Sequence, residues 1–309
     1  MTTAAVDMGS NSTRLLVIDS DGEVLTRKLT ITRLAEGVDR TGHLADAALA
    51  RTLDTLALYR EIWEGHGASH VRIAATSAVR DAADRDRFFS GVREVASVDA
   101  RVLSGAEEAA TAFAGAVGAL EVPRPCAVVD IGGGSTELIV GDARDTVVGS
   151  VSLQLGCVRL TERLLPDDPP TADQLEAARA EVAVQLQRAD DVLAGVGSAV
   201  TDAAVLVGVA GTVTTIAALH LGLDRYDPER IHGTDVPRAA VAAWASRLSE
   251  VRAAERALFG PMQPGREDVI VGGALILARV LDRYGFEAIT ASEADILDGL
   301  ARGLGAATW

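Results

Sequence analysis

Short runs in which apolar and polar residues alternate fill the first 31 residues and predict three β-strands. The Asp21-Gly22 pair between two such runs indicates a hairpin. The period then changes to that of an amphipathic helix, which we expect from about Asp46 to Glu64. The pattern predicts strands at Ala4–Met8, Thr13–Ser20, Val24–Ile31, Val71–Ala75 and Ala100–Leu103, one helix from the Thr76 loop to about Val95 and another from Ser104 to about Leu120.

The pattern starts again after Val122-Pro123-Arg124-Pro125, whose prolines end the preceding helix. A strand, a turn and a strand follow, and Thr171 with Gln174 begins a long helix as a capping box. Further elements are expected as strands at Val147–Leu153, Val205–Val209 and Glu287–Thr290, and as helices from Gly211 to about Leu221, at about Pro237–Leu258, at Asp268–Tyr284 and from Ser292 to about Leu304. The sequence therefore predicts an α/β fold of two domains, 1–121 and 122–292, with a last helix over about 293–309 joining the first.

Each half opens with the same order of strand, aspartate, turn and strand. A shift of 123 positions aligns Val6/Val129, Asp7/Asp130, Gly9/Gly132, Ser12/Ser135, Thr13/Thr136, Leu15/Leu138 and Val17/Val140. Such a match indicates an internal repeat. One difference stands out, because Arg14 occupies the place of Glu137 in the second copy. The two loops would thus bring opposite charges to a shared cleft.

The turns are rich in glycine and hydroxyl side chains, which lets successive amide N–H groups crowd around one anion. Two ordinary β-turns are the alternative reading. A third turn of this kind opens a helix, where anions are favoured. The predicted phosphate-binding residues of the turns are Gly9, Ser10, Asn11 and Ser12, then Gly132, Gly133, Gly134 and Ser135, then Gly211 and Thr212.

Charged residues beside these turns add candidate chemistry. Arg80 lies in the first turns of a helix and could contact phosphate, although Thr76 or Ser77 could also simply cap that helix. Ser104 and Glu107 have capping-box spacing, so the Glu107 side chain is expected to cap the start of this helix. Glu108 has no such task, so it faces either solvent or a partner.

The bulk composition narrows the class of protein. With 309 residues, 48% of them hydrophobic, the chain can form two domains with cores. Its net charge of −15 disfavours nucleic-acid binding. The cysteines and histidines lack zinc-ligand spacing, and neither a signal peptide nor a membrane span is visible. We therefore expect a soluble cytoplasmic protein without membrane or nucleic-acid partners.

Five motifs together resemble those of the exopolyphosphatase/guanosine pentaphosphate phosphohydrolase (Ppx/GppA) family in a short two-domain form. The resemblance runs from residue 4 to about 303 and rests on Asp7–Ser12, Ala75–Arg80, Ser104–Ala109, Asp130–Glu137 and Gly208–Thr212. It implies a two-domain actin/hexokinase/Hsp70-like (ribonuclease H-like, duplicated) fold with an interdomain cleft. A fold of this kind does not by itself name a reaction.

The resemblance assigns roles to individual residues. It implies that Glu108 is the base that activates water, and that Asp130, Gly132 and Glu137 line the phosphate and metal site. Mg²⁺ is the expected metal, with Mn²⁺ as a substitute, and Asp7 and Asp130 are our choices to hold it together with Glu137. Arg14 and Arg80 are expected to contact phosphate. A monovalent cation such as K⁺ and a homodimer remain open.

Two substrates are compatible with these roles. Longer family members carry helical C-terminal domains, whereas this chain ends at Trp309. That length favours short inorganic polyphosphate over long polymers, with pppGpp as the alternative. A guanosine pocket needs an apolar or aromatic platform, but only 4% of the residues are aromatic. A kinase and a silent phosphate-binding protein on the same fold are the remaining hypotheses.

Overall fold

The computed structural model describes residues 1–305, which form two compact units. Among the described residues, the first unit contains Met1–Gly115 and 296–305, and the second contains Ala116–Asp295. The predicted domain limits, 1–121 and 122–292, stay predictions. Of the helix predicted over about 293–309, residues 306–309 lie outside the described part.

The first unit is built on a five-stranded sheet in the order β3-β2-β1-β4-β5. β1 is antiparallel to β2 and parallel to β4, so a crossover connects the hairpin to the parallel part. Every residue of β1 after Thr3 is buried, as expected for a central strand. The strands are β1 Thr3–Met8, β2 Ser12–Ile18, β3 Val24–Ile31, β4 His70–Ala75 and β5 Ala100–Val102.

Helices cover this sheet. The core joins the apolar face of a long helix, with Leu56 and Trp63, to the buried strand residues Val6 and Leu15. The helices are α1 Val38–Thr41, α2 Asp46–Gly65, α3 Ser77–Asp81, α4 Arg85–Ala96, α5 Gly105–Val117 and, at the far end of the chain, α13 Ile296–Arg302. α13 contacts β1 and β2.

The second unit repeats the plan with a six-stranded sheet in the order β10-β11-β9-β6-β7-β8. β6 is antiparallel to β7 and parallel to β9, the same relation that β1 has to β2 and β4. The strands are β6 Cys126–Ile131, β7 Thr136–Gly141, β8 Val147–Leu153, β9 Val205–Val209, β10 Asp235–Pro237 and β11 Ala288–Ala291.

The helices of the second unit bury a large apolar cluster against this sheet. The capping box predicted at Thr171 and Gln174 is confirmed, since each residue's side chain accepts from the other's backbone N–H. The helices are α6 Cys157–Leu164, α7 Ala172–Gly195, α8 Ala210–His220, α9 Pro228–Ile231, α10 Arg238–Glu250, α11 Ala253–Arg256 and α12 Ile270–Tyr284, with a 3₁₀ turn at Val200–Asp202. None of the helices in residues 1–305 is long and apolar enough to cross a membrane.

Two predicted helices are interrupted. The helix expected to run to Val95 stops after Asp81 because the Ala83 N–H donates to the Gly42 carbonyl instead of to its own helix. The helix expected at Pro237–Leu258 breaks at Val251, where the buried Arg256 guanidinium donates to the Leu248 and Val251 carbonyls. In both places tertiary hydrogen bonds outweigh local helix propensity.

The start predicted for the last helix, at Ser292, is also wrong. The Ser292 N–H donates to the Gly208 carbonyl and its hydroxyl donates to Ala294, so α13 begins only at Ile296. The sequence pattern also missed α6 and the three-residue strand β10. α6 matters most, because it lies against the second glycine turn.

Candidate active site

The aspartate and the arginine of the first repeat face each other across two strands. Asp7 on β1 pairs in register with Arg14 on β2. Both Arg14 Nε and Nη2 donate to Asp7 Oδ2, at 3.0 and 2.6 Å. Asp7 is buried, and the Arg14 guanidinium offsets the charge of its carboxylate.

The turn after β1, Gly9–Ser12, is called the first loop here. Its Gly9 N–H donates to the Ser12 carbonyl at 3.0 Å, so the turn itself uses this amide. The phosphate-binding role predicted for Gly9 stays a prediction. The carbonyls of Ser10 and Asn11 accept from backbone amides of residues 32–35. Within residues 1–305 the Ser10 and Asn11 amides themselves donate to no protein acceptor. The loop thus offers its two middle amides.

The corresponding turn after β6, Gly132–Ser135, is called the glycine loop. The Gly132 N–H donates to the Ser135 carbonyl at 3.0 Å, so the turn itself uses this amide too. The phosphate-binding role predicted for Gly132 stays a prediction. The amides of Gly133 and Gly134 make no hydrogen bond with residues 1–305. Two adjacent outward amides on each loop are the arrangement that binds anions.

Helix α6, which the sequence analysis missed, holds the glycine loop from behind. The Cys157 N–H donates to the Gly132 carbonyl at 2.9 Å, and the Val158 N–H to the Gly133 carbonyl at 2.9 Å. Arg159 Nε donates to the Gly134 carbonyl at 2.8 Å. Apolar residues at helical spacing in 157–164, directly after a glycine, were the available signal.

Two carboxylates stand opposite each other beside the glycine loop. Asp130 on β6 pairs in register with Glu137 on β7, and both are buried. The Ser152 hydroxyl donates to Glu137 Oε1 at 2.7 Å. Like charges in directly opposite strand positions repel, so a divalent cation fits this pair.

Arg14 donates twice to Oδ2 of Asp7, and the direct metal binding predicted for Asp7 stays a prediction. In the described part of the chain, no group of three or more His, Cys, Asp or Glu side chains is arranged to hold a metal ion. Mg²⁺ commonly keeps several waters and uses only one or two carboxylates plus phosphate oxygens. The Asp130–Glu137 pair matches that donor set.

Glu107 and Glu108, adjacent on α5, have different environments. Glu107 forms the predicted capping box with Ser104, and these hydrogen bonds to Ser104 hold its pKa below the ordinary value. Glu108 is only 7% exposed, and burial raises its pKa to about 7. The nearby Asp7 charge contributes to this increase in pKa, whereas Arg80 and the Thr76 hydroxyl oppose it.

Arg80 lies beside Glu108. Its Nη1 donates to Glu108 Oε2 at 2.8 Å and to the Leu103 carbonyl at 3.0 Å. The alternative that Thr76 caps α3 with its side chain is wrong, because no such hydrogen bond forms. The Ser77 hydroxyl instead lies 2.9 Å from the Ser10 hydroxyl of the first loop. The first unit therefore gathers Asp7, Arg14, Arg80 and Glu108.

The third turn lies in the second unit at the start of α8. The buried Arg266 donates through Nη1 to the Gly211 carbonyl at 3.0 Å and to the Thr215 hydroxyl at 2.9 Å. A Cβ on Gly211 would lie 2.8 Å from the Arg266 guanidinium carbon, so a larger residue there would require the Arg266 side chain to shift. Thr212 in turn packs against Gly273. Arg266 thus reinforces the positive end of this helix.

Comparison with known proteins gives consistent matches. The model of the Ppx/GppA phosphatase family matches residues 16–303. Exopolyphosphatase 2 of Mycobacterium tuberculosis is 44% identical over 97% of this chain and 98% of its own length. Guanosine-5'-triphosphate,3'-diphosphate pyrophosphatase of Vibrio atlanticus is 31% identical over 96% of this chain and 58% of its own length.

A solved structure of an exopolyphosphatase-like protein matches with a TM-score of 0.92 at 34% identity, covering 97% of each chain. With this similarity and the two mixed sheets described above, the predicted actin-like α/β fold class is confirmed.

Proposed function

We infer the function from the family to which this chain belongs, the Ppx/GppA phosphatases, which hydrolyse phosphoric anhydride bonds. We propose that the protein is an exopolyphosphatase that releases terminal phosphate from inorganic polyphosphate, with short chains favoured. Hydrolysis of pppGpp to ppGpp is the alternative.

The observation that carries the proposal is Glu108. A general base works best when its pKa lies near the operating pH, and burial raises the pKa of Glu108 to about 7. In the proposed reaction one Glu108 oxygen accepts a proton from water. The water oxygen bonds to the terminal phosphorus as the bridging P–O bond breaks, and the shortened chain leaves with the bond's electron pair. Arg80 keeps the Glu108 carboxylate oriented through its 2.8 Å hydrogen bond.

Phosphate recognition is assigned to the loop amides. The Ser10 and Asn11 amides and those of Gly133 and Gly134 are the donors that the two loops leave unused within residues 1–305. Phosphoryl transfer asks the protein mainly to position groups and to stabilise charge. Fixed amides do this without reorganising during the reaction.

A divalent metal is part of the proposal. Ppx/GppA phosphatases generally use one, and Asp130 with Glu137 is the donor pair that suits Mg²⁺ in this chain. The metal would offset charge on the phosphate oxygens when bound. Asp7 as a direct ligand, K⁺ as a further cation, a homodimer and a cytoplasmic location stay predictions.

Polyphosphate is ranked above pppGpp on two grounds. The exopolyphosphatase relative is 44% identical and matched over 98% of its length, against 31% and 58% for the pyrophosphatase relative. In addition, the groups identified at the two loops recognise phosphate through amides and charge, and none of them forms an aromatic platform for a base.

The test uses phosphate release from tripolyphosphate with saturating Mg²⁺. Glu108→Gln is expected to lower kcat by about 10²-fold or more while tripolyphosphate binding persists, because the base is lost but the phosphate donors remain. The matched control is Glu107→Gln, one residue away, which affects only a cap and leaves kcat within about twofold. Equal loss in both folded variants would refute the role of Glu108.

A further inference from the structure

We propose that the start of α6, residues Gly156–Arg159, is a positioning segment that aims the amides of the glycine loop at a phosphate, with Arg159 acting through its side chain. This inference rests on the proposed function and adds positioning residues to it. None of the phosphate-binding predictions from the sequence included this segment.

The geometry of the peptide unit links each carbonyl of the glycine loop to the next amide. A peptide bond is planar, and in a trans peptide the C=O and the next N–H point in opposite directions. The peptides of the glycine loop are trans. Whatever fixes the carbonyl of one residue therefore also fixes the direction of the following amide.

α6 fixes three successive carbonyls of the loop. The Cys157 N–H donates to the Gly132 carbonyl. The Gly133 carbonyl accepts from two amides, the Val158 N–H at 2.9 Å and the Arg159 N–H at 3.1 Å. Arg159 Nε donates to the Gly134 carbonyl at 2.8 Å. All three acceptors are held from the α6 side. The amides of Gly133, Gly134 and Ser135 must then point away from α6.

The first loop supplies an internal comparison. Under the 123-residue shift, Ser10 corresponds to Gly133 and Asn11 to Gly134. The Ser10 carbonyl accepts from the Ala35 N–H, and the Asn11 carbonyl accepts from the Thr32 and Arg33 N–H groups. The same two carbonyls are therefore held in both copies.

The two copies differ in what holds the second of these carbonyls. In the first loop the donors to Asn11 are backbone amides, whereas in the glycine loop the donor to Gly134 is the Arg159 guanidinium. Two different sets of donors serving the same two carbonyls indicate that the orientation of these peptides is the required feature. In the second copy that orientation depends on a side chain and can be removed by mutation.

Gly156 lets α6 approach closely enough to do this. A Cβ at residue 156 would collide with the Gly133 carbonyl oxygen and lie 2.6 Å from the Gly134 nitrogen. Both are backbone atoms, so the clash cannot be relieved by rotating a side chain. Gly156→Ala must displace either the loop or the helix, and it does so without changing any charge.

The experiment compares Arg159→Met, Arg159→Lys and Gly156→Ala with wild type. Gly195→Ala is the matched control, because Gly195 ends α7 in the same unit and a Cβ there meets nothing within 4 Å. The readouts are kcat and KM for tripolyphosphate with Mg²⁺, the dissociation constant of tripolyphosphate by calorimetry, and thermal unfolding. Each kinetic measurement is repeated over a range of salt concentrations.

We expect Arg159→Met and Gly156→Ala each to raise KM and the dissociation constant by about tenfold, the effect of losing roughly one hydrogen bond to a charged ligand. Arg159→Lys keeps one donor and is expected to recover most of the affinity. Gly195→Ala is expected to match wild type. A direct Arg159–phosphate contact would make KM less sensitive to salt in Arg159→Met, whereas a positioning role leaves the salt dependence parallel to wild type.

Several outcomes contradict the inference. Wild-type affinity in a folded Arg159→Met variant would overturn it, and so would a change confined to thermal stability. If Gly156→Ala fails to fold, the Arg159 pair decides the question alone. If wild type binds tripolyphosphate without hydrolysing it, the proposed function is refuted, but the dissociation constants of the variants still test the inference. If wild type does not bind tripolyphosphate, both are refuted.

Discussion

The pH dependence of activity is the sharpest consequence of the Glu108 environment. Burial raises the pKa of Glu108 from 4.5 to about 7, so the base is mostly protonated below neutral pH. Only the ionised carboxylate can accept a proton from water, and kcat/KM is therefore expected to fall about tenfold per pH unit below this value. Free-enzyme groups appear in kcat/KM, which is the parameter to measure.

Two substitutions should move this inflection in opposite directions. Arg80 lowers the pKa of Glu108 through its hydrogen bond and its charge, so Arg80→Met should shift the inflection to higher pH. The Asp7 charge raises the same pKa, so Asp7→Asn should shift it to lower pH. Ionisation of the substrate is common to wild type and both variants. Shifts in the same direction, or a wild-type inflection near 4.5, would contradict the assigned environment.

The same pKa also has a stability consequence. The native state binds the Glu108 proton more tightly than the unfolded chain, so stability falls as pH rises from about 4.5 to about 7 and then levels off. The difference between a pKa of 4.5 and one of about 7 corresponds to about 3 kcal/mol, at roughly 1.4 kcal/mol per tenfold change in proton affinity. Glu108→Gln should remove this slope and raise the melting temperature at pH 8, measured by calorimetry, while abolishing activity. An unchanged slope in the variant would show that other groups cause it.

Three further predictions concern the metal, the substrate and the first loop. Excess EDTA is expected to abolish phosphate release, because the neighbouring Asp130 and Glu137 carboxylates repel a polyanion unless a cation is bound; full activity in EDTA would contradict the metal proposal. At one salt concentration, kcat/KM should be higher for tripolyphosphate than for pppGpp or long-chain polyphosphate, and a clear preference for pppGpp would reverse the ranking. Arg14→Met leaves Asp7 buried without its guanidinium and should destabilise the protein by about 3 kcal/mol, whereas Asp7→Asn combined with Arg14→Met should be less harmful than Arg14→Met alone in thermal unfolding.

The sequence predicted the features that depend on local patterns. The repeat, the strands around Asp7 and Asp130 and the two capping boxes follow from side-chain period and spacing over a few residues. Apart from the repeat, which compares two stretches 123 positions apart, each of these signals lies within one element or one turn. The structure accordingly has strands at Val147–Leu153 and Val205–Val209, where they were predicted.

The failures share a physical cause, which is competition from distant partners. The helix break after Asp81 follows from a hydrogen bond between Ala83 and Gly42, 41 positions earlier. The sequence analysis treated each glycine of the loop as a source of an amide N–H for phosphate. Whether the Gly132 N–H can serve phosphate depends on the Ser135 carbonyl, to which it donates when the turn closes. Likewise, no sequence spacing could link Arg159 to Gly134, 25 positions away.

The repeat also explains why the two loops need different chemistry. In the first, Asp7 faces Arg14 and the pair carries no net charge, so the Ser10 and Asn11 amides can attract a phosphate without a metal. In the second, the arginine is replaced by Glu137, which pairs in register with Asp130 on the strands that flank the glycine loop. At an effective dielectric of about 20, one such charge about 4 Å from a phosphate oxygen costs about 4 kcal/mol. Hydrogen bonds from two loop amides are too weak to offset the repulsion that two carboxylates exert on a phosphate. A bound divalent cation can, and we therefore place the proposed metal at the second copy of the repeat, while direct metal binding by Asp7 of the first copy stays a prediction.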